Sequence, residues 1–143
     1  MATIHLILPS GDINSYGDQS SYTVPIADPL VLEYNEEYEC ALVSAQFPHP
    51  GGGHSVFIQC SLCEYQRVGS SMVPLLFKSA SVNNQTDNYR CVQDSIEVWV
   101  KISGKLFNQI DISLSYSQNL DIPEAALGQN NFTTIDLLIR KIR

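Results

Sequence analysis

Ile96-Glu97-Val98-Trp99-Val100-Lys101-Ile102 and, shortly after it, Ile110-Asp111-Ile112-Ser113-Leu114-Ser115-Tyr116 alternate apolar and polar side chains at a period of two. Successive side chains of an extended chain point to opposite faces, so the alternation predicts two strands with one buried face each. Ile96, Val98, Val100 and Ile102 form the inward face of the first, and Ile110, Ile112, Leu114 and Tyr116 that of the second. The pattern recurs in both directions along the chain. Thr3 to Leu8 sets Ile4, Leu6 and Leu8 on one side before Pro9-Ser10-Gly11-Asp12 stops it. Tyr22-Thr23-Val24-Pro25-Ile26 is a short extended stretch whose proline, lacking an N–H, suits a sheet edge or a strand end. Leu30 to Tyr34 and Tyr38 to Phe47, divided by the polar Asn35-Glu36-Glu37, predict two strands joined by a tight reversal. His54 to Tyr65, Met72 to Lys78 and Thr133 to Ile142 complete a set of about nine strands of ordinary length.

No helical pattern exceeds two turns, and no internal repeat is visible. Pro123-Glu124-Ala125-Ala126-Leu127, closed by Gly128, predicts one short helical turn. A sheet with one apolar face must bury it, and a second sheet is the simplest cover. The expected architecture is therefore all-β, an antiparallel sandwich forming one domain over residues 1–143. That length suits a single core.

Charged residues make up 16% of the chain and hydrophobic ones 44%. Average soluble proteins carry about 25% charged residues, so a partner is expected to cover part of this surface. The net charge of −7 argues against a general role on nucleic acid, which needs a surplus of Lys and Arg. A basic cluster stands only at the C-terminus, Arg140, Lys141 and Arg143. It reads either as a solvated end or as an arm touching nucleic acid or a neighbouring acidic subunit. Met1 to Leu8 has no secretory pattern and no apolar run is long enough for a membrane helix, so synthesis in the cytosol and no membrane contact are expected. Cys40, Cys60, Cys63 and Cys91 would then be reduced thiols, and the Asn-x-Thr matches at Asn84 and Asn131 would be chance.

The residues that could carry chemistry do not assemble into a recognisable site. Cys60-Ser61-Leu62-Cys63 has the spacing of a redox or zinc pair, but inside an alternating run the two thiols are expected on opposite faces, as buried small hydrophobes. No second pair completes a zinc knuckle. His5, His49 and His54 lack a triad or ligand pattern. A Cys–His nucleophile pair such as Cys40 or Cys63 with His49 would mark a cysteine hydrolase, which demands one unusually reactive thiol. Gly51-Gly52-Gly53 follows Pro-His-Pro and precedes no Lys-Ser or Lys-Thr, so it is a flexible loop and not a phosphate cradle. Glu36, Glu37 and Glu39 read as solvated turn charges. No catalytic residue, metal, cofactor or small-molecule substrate is expected. The same strand pattern also fits a lectin-like or cytokine-like module recognising protein or glycan, which secretion, disulfides or a calcium-binding acid cluster would mark.

Three stretches carry a family resemblance. Ile4-His5-Leu6-Ile7-Leu8-Pro9-Ser10, then Ser21-Tyr22-Thr23-Val24-Pro25 with Pro29-Leu30-Val31-Leu32, then Tyr38-Glu39-Cys40-Ala41-Leu42-Val43-Ser44-Ala45-Gln46-Phe47-Pro48-His49, resemble the start of penton-like minor capsid proteins of Polinton (Maverick) elements and their virophage and adintovirus relatives. Thr133 to Ile142 looks like the basic last strand of that group. Phe107 to Leu114 is similar to the strand it places before a short proline turn, here Asp121-Ile122-Pro123. The resemblance spans nearly the whole chain. It implies a single jelly roll in a virion, assembled as a homopentamer at the vertices of an icosahedral shell beside the major capsid protein, with synthesis in the host cytoplasm or nucleus. Under it, Gly51, Gly52, Gly53 and His54, with Asn83 and Asn84, become candidates for contacts between subunits. Arg140, Lys141 and Arg143 would face a neighbouring shell protein or the genome, the one place where nucleic acid would be touched. Ile139 departs from the aromatic residue usual before the final Arg, and the chain is shorter than pentons with an added outer domain. A domesticated host copy or a related minor shell protein stays open.

Overall fold

The computed structural model describes residues 3–9, 21–48, 55–79, 88–92, 96–117 and 133–142. Its strands are β1 (Ile4–Pro9), β2 (Ser21–Val31), β3 (Tyr38–Pro48), β4 (Ser55–Cys60), β5 (Gln66–Val68), β6 (Ser71–Val73), β7 (Leu75–Lys78), β8 (Asn88–Val92), β9 (Val100–Lys101), β10 (Leu106–Ser117) and β11 (Thr134–Lys141). A five-stranded sheet runs β1-β11-β3-β8, with β9 also on β3, and a four-stranded sheet runs β2-β10-β4-β7. β5 and β6 form a separate two-stranded hairpin.

The pairings are nested. β4 pairs with β7, β3 with β8, β2 with β10 and β1 with β11, all antiparallel, as if one long hairpin had been folded over. The cross-pairs β3–β11 and β4–β10 close the roll. This order is a jelly roll, with the chain passing from sheet to sheet around the sandwich.

Alternation explains which side chains meet between the layers. Leu8, Cys40, Leu42, Val56, Ile58, Ile110, Ile112, Leu114, Ile135, Leu137 and Ile139 are buried in one core, with Ile4 and Leu6 packed against it. Tyr22 ties the layers together, its hydroxyl donating to the Leu8 carbonyl at 2.7 Å, and burial pushes that hydroxyl's pKa well up. β2 pairs on one side only, with β10, so Pro25 and Pro29 lie on an edge strand, as a missing N–H requires.

Four local expectations are corrected. The segment between Val31 and Tyr38 is no hairpin, because β2 and β3 belong to different sheets. Leu32 and Tyr38 are both buried between the layers, and the Glu33 N–H donates to the Tyr38 hydroxyl at 3.1 Å, which fixes a corner where a ladder was expected. Met72 to Lys78 divides at Pro74 into β6 and β7. The stretch from Ile96 is extended in the ladder only at Val100 and Lys101, and Val98 is exposed. β9 pairs with β3 at Glu39 and Cys40, and residues 96–99 before it carry no ladder pairing. Cys63, expected on the face opposite Cys60, is instead buried on the same side as Cys60. The helical turn expected at Pro123 to Leu127 lies outside the described residues.

Gly104, at φ 100°, makes the turn into β10, where a Cβ would stand 3.1 Å from Phe107 Cζ. Phe107 packs against the core and cannot give way freely. Gly104→Ala is expected to lower stability by about 1–2 kcal/mol through left-handed strain and this contact, read as an earlier urea midpoint with an unchanged slope.

Candidate assembly surfaces and the buried thiols

β11 lies between β1 and β3, its outward side chains being Asp136, Leu138 and Arg140. Arg140 is the register partner of Glu39, and its Nε donates to Glu39 Oε1 at 2.7 Å. Its guanidinium also stacks on Trp99, 3.5 Å from the ring centroid. Lys141 Nζ is 2.9 Å from Glu33 Oε1, and Lys101 Nζ 2.9 Å from Glu37 Oε1. Lys105 donates to the Glu36 carbonyl and sits over the Tyr38 ring. Hydrogen bonding and attraction to Lys101 hold the Glu37 carboxyl below its ordinary pKa, and the same contacts raise Lys101. A hydrogen bond to Glu33 likewise raises Lys141. Glu37 and Glu39 are therefore not merely solvated turn charges, and Arg140 and Lys141 each face a carboxylate of their own molecule. Arg143 lies outside the described residues.

Because the Arg140–Glu39 pair is part-exposed, its worth is modest. Arg140→Ala is expected to cost about 1–2 kcal/mol, the upper end coming from the lost Trp99 stacking. A double-mutant cycle with Glu39→Ala should return a coupling of about 0.5–1 kcal/mol that shrinks in high salt.

The thiols are the structure's main departure from the sequence reading. β4 ends at Cys60, and the Cys63 N–H donates to the Cys60 carbonyl at 3.0 Å, so the chain turns and brings Cys63 back inward. Cys40, Cys60 and Cys63 are all buried and free, and Cys40 Sγ is 3.7 Å from Cys63 Sγ. Hydrogen bonding with the Cys40 and then the Cys60 thiol, with burial, pushes the Cys63 pKa far up. That disfavours the Cys63 thiolate, the form a nucleophile or metal ligand must take. Ser61 is the single turn-favouring residue between the two thiols, and inside an apolar alternating run it did not outweigh the strand pattern, so spacing alone could not reveal the convergence.

Among the described residues no three His, Cys, Asp or Glu side chains are arranged to hold a metal ion, and no helix is long and apolar enough to cross a membrane. His5 is exposed on the outer face of β1. His49, Gly51, Gly52, Gly53, His54, Asn83, Asn84 and Asn131 lie outside the described residues, as does the Cys91 side chain.

The outer faces carry what sequence reasoning missed. Val31 and Leu106 stand directly opposite each other across β2 and β10, 69% and 60% exposed. Tyr34 is 92% exposed just beyond them. On the other outer face Ile7, 60% exposed, is the register partner of Asp136. Asp136 accepts from Ser44 through Oδ2, but its buried Oδ1 has no donor. The signal was in the alternation itself, since Ile7, Val31 and Leu106 are apolar at positions whose neighbours take the inward face.

The jelly-roll order and the whole-chain span can be set beside solved structures. The crystal structure of the mavirus penton protein overlays on 99% of this chain and 100% of its own, with a TM-score of 0.61 at 8% identity. The chain has the fold of a viral penton protein. The likeness that the strand motifs carry is thus met in the penton fold, over both sheets. VP1 of trichodysplasia spinulosa-associated polyomavirus covers 98% of the chain at 10% identity, but its TM-score of 0.24 bears no weight. No protein-family model and no curated protein matches the sequence.

Proposed function

We propose that the chain is a penton-type minor capsid protein, a non-enzymatic subunit of an icosahedral viral shell that assembles as a homopentamer at the vertices and contacts the major capsid protein. The observation that carries this reading is the end-to-end overlay of the nested jelly roll on a penton protein, with neither chain left over. In this reading residues 1–143 are one jelly-roll domain that acts in the virion after synthesis in the host cell. Its work is mechanical. A five-fold ring uses heterologous contacts, one surface of each subunit on a different surface of the next, and closes because the rotation closes. Buried thiols and basic side chains held by internal carboxylates suit a chain that meets proteins and performs no chemistry.

Light scattering with negative-stain microscopy of the purified chain tests the proposal. Five-fold rings of about five times 15.9 kDa are expected. A stable monomer at high concentration and physiological salt, unchanged by the major capsid protein, would overturn it.

A further inference from the structure

Charged side chains that no internal partner answers stand at the two opposite edges of the four-stranded sheet. Resting on the shell-subunit reading, we infer that the β5–β6 hairpin of one copy docks on the β2 edge of a second copy, with Arg67 against Asp28.

The hairpin is inserted in the chain between β4 and β7 and joins neither large sheet. Its base is tied to the β7 edge, the Cys60 N–H donating to the Pro74 carbonyl at 3.0 Å and Gln66 Nε2 to the Leu75 carbonyl at 2.6 Å. Gly69, at φ 59°, opens the tight turn that joins Val68 to Ser71. Val68 is buried, so alternation turns Arg67 and its register partner Met72 outward, and Tyr65 is exposed two residues before Arg67. Tyr, Arg and Met are the side chains enriched where proteins meet.

β2 is the other edge of the same sheet, separated from β7 by β10 and β4. Residues 26–29 of β2 stand opposite the single residue 108 of β10, so they bulge out of the ladder, and Pro25, Ala27, Asp28 and Pro29 are exposed. The two prolines blunt strand pairing at this edge, which leaves a contact to the side chains. No subunit can bring its own hairpin to its own β2 edge, whereas successive copies can.

Charge selects a second copy as the occupant. Residues 65–78 hold two cations, Arg67 and Lys78, and no carboxylate, whereas residues 21–31 hold one carboxylate, Asp28, and no cation. All three groups are exposed, and among the described residues none of them forms an ion pair, unlike Lys101, Arg140 and Lys141, which carboxylates of their own molecule answer. Copies of a chain of net charge −7 repel one another except where unanswered charges of opposite sign meet. A free cation set beside Tyr65 and Met72 thus meets a free carboxylate set among Pro25, Ala27 and Pro29.

The test uses the full chain with Arg67→Glu and Asp28→Lys as single variants and with both changes combined in one chain. Both positions are exposed, so all three proteins are expected to keep the wild-type circular dichroism and melting temperature. In sedimentation at physiological salt each single variant is expected to self-associate at least about thirtyfold more weakly, the loss typical of a hot-spot residue. The combined variant restores opposite charges at every junction and is expected to return to within about tenfold of wild type. If wild type assembles and the folded single variants assemble equally well, the assigned surfaces are wrong while the shell reading stands. A combined variant as weak as the single ones would show that Arg67 and Asp28 do not face each other, and equally overturns the inference. A wild-type chain that never associates, even beside the major capsid protein, fails the shell reading itself and this inference with it.

Discussion

Leu137→Asp is expected to abolish cooperative folding near neutral pH, while Leu138→Asp, one residue along the same strand, leaves a folded protein. Leu137 is fully buried between the sheets, whereas Leu138 faces outward and is half-buried. A carboxyl group held in that core stays protonated in the folded chain, its pKa raised above the unfolded value of about 3.9. The sign follows from linkage. The penalty is absent below the unfolded pKa and grows by about 1.4 kcal/mol per pH unit until the raised folded pKa is reached, amounting to about 4 kcal/mol at pH 7. Lost apolar burial adds about 2–3 kcal/mol, and the total rivals the whole stability of a typical domain. Leu138→Asp should cost about 1 kcal/mol with no such slope, since its carboxylate reaches solvent. Denaturant melts of both variants and wild type at pH 5.5 and 7 decide the matter. Equal losses in the two, or a Leu137→Asp penalty that does not widen with pH, would mean that β11 does not turn Leu137 into an inter-sheet core.

That contrast measures what period-two patterning can deliver. Alternation located the buried faces of β1 and, at Ile110, Ile112 and Leu114, of β10, and Pro25 announced an edge, because both signals are local and a one-residue slip would expose a whole apolar face. Strand partners were not local. Leu32 and Tyr38 read as the two sides of a hairpin, yet each is buried by the opposite sheet, a long-range outcome that the polar Asn35-Glu36-Glu37 cannot distinguish from a tight turn. The same limit applies to the thiols, since the meeting of Cys40 with Cys63 depends on β9 lying on β3 and on a turn at Ser61-Leu62 that a lone serine inside an alternating run does not announce. Of the candidate contact residues, the structure describes Arg140 and Lys141, and it shows them answering Glu39 and Glu33. Their partners are distant in sequence, so the cluster looked unpaired when read along the chain.

Phe57→Ala carries the second large expectation, a loss of about 3–5 kcal/mol at a position that alternation assigns to the outside. Val56 and Ile58 point into the inter-sheet core, so Phe57 projects from the other side of β4, yet it is 1% exposed. Burial, not the face of the strand, sets the cost, because removing the ring takes away both its transfer free energy and the contacts of everything packed on it. The register places Ser115 opposite Phe57, buried and with a hydroxyl that has no partner. A water entering the vacated space could bond that hydroxyl, but it needs two or more polar partners to be held, so the relief is expected to be small and the loss to stay within the stated range. Val31→Ala, also on the outside of this sheet but exposed, should change stability by less than about 0.5 kcal/mol. Thermal and urea unfolding of the two variants would separate the cases. A Phe57→Ala protein as stable as Val31→Ala would mean that the outer face of the four-stranded sheet is not packed over at Phe57.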